Sequence, residues 1–278
     1  MLQSREWIFL KLLLNTYFSA KQEVIKSLAT EEVFEKISEC SFTQKDPKLV
    51  LSSVQEWSKS IHKSWLEDVL KTFPDALKKY MENFLTTDLE KTQLSKAASQ
   101  FLCKYLYEHS KEQDLNILPR GLLPENLLSP LLDSSRLQLL EIIDLLAMYD
   151  LAEEVRYIVD KKILQGILQL LKDNQQIFLR SLLRNKSKLQ MPKAFFQHLY
   201  TDEKKFTKAL HKKGLQRLGC ALSGQNPDFL WYLLHTLDMP RARYLETVIH
   251  SEAVANTTYM IQLQIIQILQ FLKSGSQS

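Results

Sequence analysis

Glycine and proline are scarce in this chain, at six and eight among 278 residues. So few turn formers leave little material for the tight connections of a hairpin-rich sheet. No segment alternates apolar and polar residues over a strand length, which excludes a sheet-based fold. Cysteine is rarer still. Cys40, Cys103 and Cys220 lie far apart, form no Cys-x-x-Cys pair and are odd in number. That excludes a disulfide framework and predicts a reducing compartment in which each thiol is a small core hydrophobe. The six histidines (His62, His109, His198, His211, His235, His250) make no His-x-x-x-His or His-Glu-x-x-His pair. No Ser, Cys or Asp stands in a nucleophile motif. The expectation is no metal, no cofactor and no catalytic residue, hence not an enzyme.

Charge is missing altogether from 253–272. A charge-free stretch of that length invites a membrane-spanning reading. Asn256, Thr257, Thr258 and the glutamines Gln262, Gln264, Gln267 and Gln270 argue against lipid exposure. The segment reads instead as a helix buried on most sides. Ile261, Ile265, Ile268, Leu269 and Leu272 form its stripe, and the glutamines line a narrow wet edge. At the other end, Lys11 interrupts the apolar run 7–14 and no small-residue cleavage site follows it. No signal peptide is expected.

What is abundant favours helix: Leu, Lys, Gln, Glu and Ser dominate. The fold class is all-α, a multi-helix armadillo-like or irregular helical bundle. Two halves are predicted, 1–113 and 135–278, joined by a Pro/Leu-rich linker over 114–134 that holds Pro119, Gly121, Pro124 and Pro130. In the first half, Trp7 to Phe18 and 31–39 are short amphipathic elements. Asp46-Pro47 starts a helix whose stripe runs through Trp57, Ile61, Trp65 and Leu66 to Phe73-Pro74. Residues 75–85 follow. A longer helix over 88–112 carries Phe101, Leu102, Tyr105 and Leu106 inside. The second half restarts at Ser134 or Ser135. Its helices are predicted at 137–147, at 151–171 with Val155, Ile158, Val159, Ile163 and Ile167 buried, and at 174–183. Pro192 opens another through Phe195, Phe196 and Leu199.

Gly219 and Gly224 have the spacing of a phosphate loop, but Gln225 and Asn226 stand where Lys and Ser/Thr would be needed, and no strand precedes. The better account is structural. Gly224 ends a helix with positive φ, Asn226 caps the next and Pro227 takes its first position. Gly219 in a helix interior implies close approach of a neighbouring helix.

The chain's net charge of +4 is unevenly placed. Residues 155–250 hold 17 Lys/Arg and 7 Asp/Glu, so this half is basic and the rest is acidic. Lys204, Lys208 and Lys212 recur every four residues on one face. Arg180 and Arg184 do the same one element earlier, and Lys186 and Lys188 lie in the basic loop between. These seven are the candidate partner-binding residues. A solvated helix face is the plain alternative. Aromatics are not interleaved with the cations as in a single-strand binder, so a protein partner leads over nucleic acid.

Phe206-Thr207-Lys208-Ala209-Leu210, then Leu215 and Leu218-Gly219-Cys220-Ala221-Leu222-Ser223-Gly224, resembles the flagellar motor-switch family FliG. Ala209-Leu210 stands for that family's Val-Leu, and Ser223 for its Lys. Phe229 to Leu237 is similar to the family's next helix. Asp238, Arg241, Ala242 and Leu245 fall near its Ser-x-Arg-Ala-Ala-x-x-Leu pattern. The resemblance spans 196–272. The family's charged torque-generating helix and its Glu-His-Pro-Gln-Arg signature do not occur here. The resemblance therefore implies a FliG-like module without motor residues, similar to the type III secretion sorting-platform adaptor of the SctK type. The expected function is a non-enzymatic structural adaptor in protein transport. It would be cytoplasmic or at the inner face of the cell membrane, peripheral, without a transmembrane span, and would bind protein subunits of a secretion or flagellar-type machine. The alternative is a basic helical nucleic-acid-binding or regulatory protein, and a third reading is a hydrolase whose site assembles only in space.

Overall fold

Helix-start chemistry recurs along the chain, and a computed structural model shows what it builds. The structure describes residues 57–73, 96–112, 117–118, 120–184, 195–250 and 255–275. The described residues are all-α. The helices are α1 (Lys63–Thr72), α2 (Lys96–Glu112), α3 (Arg136–Val155), α4 (Lys161–Gln169), α5 (Asp173–Leu183), α6 (Glu203–Leu222), α7 (Pro227–Thr236), α8 (Met239–Val248) and α9 (Ala255–Gly275). Short 3-10 turns stand at Arg120–Leu122, Ser129–Asp133 and Phe196–His198. All described residues belong to one compact unit, 55–278. The helices expected before Trp57 and over 75–85, Cys40, and the 186–188 loop lie outside them.

Polar side chains close the starts of most second-half helices. Ser135 and Gln138 form a reciprocal capping box at α3. Asp160, Asp202, Asn226 and Asp238 each accept a backbone N–H at the start of α4, α6, α7 and α8. Each such cap contributes about 1 kcal/mol. The end of α6 is closed as the glycine predicts. Gly224 has φ 72°, its N–H donates to His250 O at 3.0 Å, and the Ser223 hydroxyl donates to Gly219 O.

Helix α3 is apolar on nearly every side, and it is buried on nearly every side. Leu139, Ile142, Ile143, Leu145, Leu146, Met148 and Leu151 are all in the core. Helix α6 packs along it, and α5 and α9 cover further faces. Two glycines make the α6 packing close. A Cβ on Gly214 would lie 1.8 Å from the Ile143 carbonyl oxygen, and one on Gly219 would lie 2.7 Å from Val248 Cγ1 of α8. The approach inferred from Gly219 is therefore real, and Gly214 demands it more strongly.

Residues on both sides of 114–134 meet. The Trp57 and Trp231 rings pack at 4.6 Å with their planes tilted by 33°, and the Trp65 indole N–H donates to Leu237 O at 2.8 Å. Tyr107 of α2 donates to Ile117 O, and Tyr232 of α7 to Leu118 O.

Four expectations about the helices are corrected. The helix expected from Asp46-Pro47 to Phe73 is not continuous: the chain turns over 58–61, and His62 caps a fresh helix, α1. The helix expected at 151–171 is two helices. Helix α3 runs on to Val155, and Asp160 restarts the chain at α4. The intervening Tyr157-Ile158-Val159 is a poor helix stretch with two β-branched residues, and Val159 is 94% exposed instead of buried. Phe195 does not continue an α-helix. Its backbone is left-handed, because the Glu154 carboxylate accepts the N–H groups of both Phe195 and Phe196 and turns the chain. Phe101 points outward while Leu102 and Cys103 are buried.

Gly214→Ala separates packing from propensity. In an exposed helix interior the change would stabilise by about 1 kcal/mol. Here the intruding Cβ should destabilise by about 3 kcal/mol or more, against roughly 1–2 kcal/mol for Gly224→Ala with its left-handed backbone. Urea denaturation of both variants measures the order, and a neutral Gly214→Ala would refute the contact.

Candidate functional site

Helix α3 carries Asp144 and Asp150 inside its apolar stretch 142–152, and each organises a polar cluster. Asp150 is buried and receives the fully buried Arg217 of α6 in a two-pronged pair. Arg217 Nε donates to Oδ2 at 2.8 Å and Nη2 to Oδ1 at 2.7 Å. Arg217 Nη1 donates to Gln264 Oε1 of α9 at 2.7 Å. The guanidinium also lies 5.6 Å from the Tyr149 ring centroid, and Tyr149 donates to Gln267. Burial raises the Tyr149 pKa, so the hydroxyl stays a donor. The expectation that all four glutamines line a wet edge is thus corrected. Gln264 and Gln262 are buried, and Gln262 donates to the Ala221 carbonyl in the last turn of α6. Ile261, Ile265 and Ile268 are buried as expected.

Asp144 faces an open groove of about 980 Å³ between α3, α5, α6 and α8. His211 Nδ1 lies 2.7 Å from Asp144 Oδ1, and Arg241 Nε donates to His211 Nε2 at 2.7 Å. An acceptor at Nε2 fixes the tautomer: the proton sits on Nδ1 and is donated to Asp144. Arg241 also bonds Asp238, whose carboxylate lies 4.0 Å from Arg136. Burial alone would raise the Asp238 pKa, but the hydrogen bonds from Arg241 outweigh it and hold it below the usual carboxylate range. The ring of His211 is held on both nitrogens. The cluster ties α3, α6 and α8 together and gives the groove a polar floor.

The sequence-predicted cations divide among different surfaces. Lys204 and Lys208 are exposed and line the groove, joined by Lys172 at the start of α5. Lys212 is exposed but sits beyond the groove, 6.0 Å over the Tyr244 ring. Arg180 on α5 and Arg184 just past its end are exposed and do not line it. Lys186 and Lys188 lie outside the described residues. Sequence reasoning missed Asp144, Asp150, His211, Arg217, Arg241 and Lys172. Carboxylates inside an apolar helix were the available signal, since a buried charge demands a partner.

Among the described residues no group of three or more His, Cys, Asp or Glu is placed to hold a metal ion. Among them no helix is long and apolar enough to cross a membrane. No family model, no curated protein and no solved structure matches this chain.

Two predictions follow from the buried groups. Arg217→Met leaves Asp150 charged and dry, and should cost about 3–5 kcal/mol. The double change Asp150→Leu with Arg217→Met should recover most of that loss. A double-mutant cycle by equilibrium denaturation reads the coupling, and strictly additive losses would contradict a direct pair.

His235 is buried beside Trp65 and Trp231, with its Nδ1 2.6 Å from Trp231 O. Burial pushes its pKa down to about 4. The folded ring stays neutral while the unfolded one protonates, so stability is complete above pH 6.5 and falls as pH drops towards 4. The loss is about 1.4 kcal/mol per pH unit, or about 3 kcal/mol in all. Denaturation midpoints over that window should show this slope, and His235→Gln should flatten it.

Proposed function

We propose that this chain is a non-enzymatic structural adaptor that binds protein subunits on the cytoplasmic side of a bacterial type III secretion or flagellar-type apparatus. One observation carries the binding role. Lys204, Lys208 and Lys212 stand exposed along one side of α6, while Gly214, Arg217 and Leu218 lock its other side into the core. Cations on an immobilised helix present a fixed charge pattern, which favours recognition of an acidic surface over diffuse attraction. The apparatus is suggested by the FliG-like run, whose expected helices correspond to α6, α7, α8 and α9. The groove beside Lys204 and Lys208 mixes leucine with the lysines, a composition that favours a protein partner over a phosphate backbone.

The full-length chain should bind a purified cytoplasmic ring or platform subunit. Lys204→Glu, Lys208→Glu and Lys212→Glu together should slow association about tenfold or more at low salt while shifting the melting temperature by no more than about 2 °C. Unchanged association by the triple variant would reject the basic face. Failure to bind any such subunit, with tight DNA or RNA binding and a steep log–log salt dependence, would reject the adaptor reading in favour of a nucleic-acid binder.

A further inference from the structure

Two histidines meet where α1 joins the α7–α8 junction. The His62 N–H donates to His235 O at 2.9 Å, so the two residues are bonded backbone to backbone. Two further bonds close the joint. The Trp65 indole N–H donates to Leu237 O at 2.8 Å, and the Met239 N–H donates to the Ser64 hydroxyl at 3.1 Å. Both imidazoles serve the joint as neutral rings. His62 caps α1: its Nδ1 accepts the Ser64 N–H at 3.2 Å and lies 2.7 Å from the Ser64 hydroxyl. A proton on Nδ1 would cancel that cap and set a cation at the positive end of the helix dipole. The His235 ring lies 4.2 Å from Trp65 and 4.4 Å from Trp231, centroid to centroid. Its Nδ1 faces the Trp231 carbonyl at 2.6 Å and carries the proton, so a second proton would charge Nε2 inside the joint. The indole faces return only part of the cost of that buried charge.

The charges around the joint leave this preference in place. Burial and then Arg136 hold the His62 imidazole below its usual range, with Lys63 adding to them and Asp238 and Glu67 opposing. Burial pushes His235 down to about 4, against the Trp231 carbonyl. Tyr107 of α2 and Tyr232 of α7 pack on Trp231, and burial keeps both protonated. The buried Asp228 carboxylate acts on these two tyrosines. Both histidines thus protonate less readily in the closed joint than when free. The closed joint is fully favoured above about pH 6.5 and loses stability as pH falls towards 4. The lock of Arg217, Asp150 and Gln264 that holds α3, α6 and α9 contains no imidazole. Independently of the adaptor reading, we propose that the joint is an acid-sensitive latch: protonation of His62 and His235 parts α1 from the α7–α8 junction and bares the Trp65 and Trp231 faces, while α3, α6 and α9 stay packed.

Hydrogen–deuterium exchange of the full-length chain reads the latch directly, because the His62 and Met239 amides are protected by the joint itself. At pH 7 and at pH 5, corrected for intrinsic exchange, these amides should be about tenfold or more less protected than those of α6, as local opening requires. From pH 7 to pH 5 their protection should fall about twentyfold or more, the factor that a pKa change from 6.5 to about 4 gives for His235 alone. His62→Asn keeps a capping side chain that does not titrate, and should lessen the fall about twofold or more. Adding His235→Gln should leave a fall of less than about twofold. His198→Gln alters an exposed ring on the 3-10 turn that packs against α3 and α4, and should leave the whole fall in place. Should the double variant lose its helical circular dichroism, His62→Asn alone still decides. Equal protection of the joint and α6 amides would overturn the latch in favour of global unfolding. Protection that does not change with acid would overturn it outright. A fall undiminished by His62→Asn would overturn the two-histidine device, and one that survives both substitutions would assign the acid response to a carboxylate such as Asp228 or Asp238.

Discussion

The fold turns on a charge that has no exit to water. Arg217 is fully buried, and its guanidinium is satisfied by Asp150 on α3 and Gln264 on α9. An apolar contact can slide by a fraction of a turn and lose little. This pair cannot, because a shift of α6 along α3 would leave two dry charges unpaired. The nearby Gly214 lets α6 approach α3 closely enough for the pair to close, since any side chain there would meet the Ile143 carbonyl. The glycine and the ion pair therefore specify one register between them. The rest of the core fills in around that register with leucine and isoleucine.

The groove inherits its shape from the same constraint. Asp144 lies less than two turns before Asp150 on α3, and His211 less than two turns before Arg217 on α6. Once the deeper pair sets the helices, the outer pair falls within hydrogen-bond reach at 2.7 Å. Arg241 then reaches His211 from α8, whose own seat against α6 depends on Gly219 facing Val248. The lysines on the groove rim are long and flexible, but the backbone that carries them is held from behind. Rigid placement of the stems reduces the ordering cost of any partner they meet.

Local grammar was legible in the sequence because its physics is local. Asn226 with Pro227, and Gly224 with its positive φ, need only neighbouring backbone to act, and each stands where the sequence reading put it; of Ser134 and Ser135, Ser135 is the residue that caps α3. The stripe of Ile261, Ile265 and Ile268 was readable from its period. The polar contents of the core were not. Arg217 and Asp150 are 67 positions apart, and Arg217 and Gln264 are 47 apart, so no spacing rule links them. The stop at Val155 was hidden by an apolar run that continues through Ile158 and Val159. The turn at Phe195 depends on a carboxylate 41 positions earlier. The lysine stripe was legible as a stripe, but its division into groove and off-groove members follows from the crossing of α3 and α6, which no single helix encodes.

The aromatic corner has an optical consequence. The chain has four tryptophans, and Trp57, Trp65 and Trp231 gather in one place around His235. Their indoles are close enough to exchange excitation, so the intrinsic emission of these three residues behaves as a single reporter. It is a reporter of one address, the seam where α1 meets the α7–α8 junction. A shift in the emission of these three residues is a statement about that seam opening or closing.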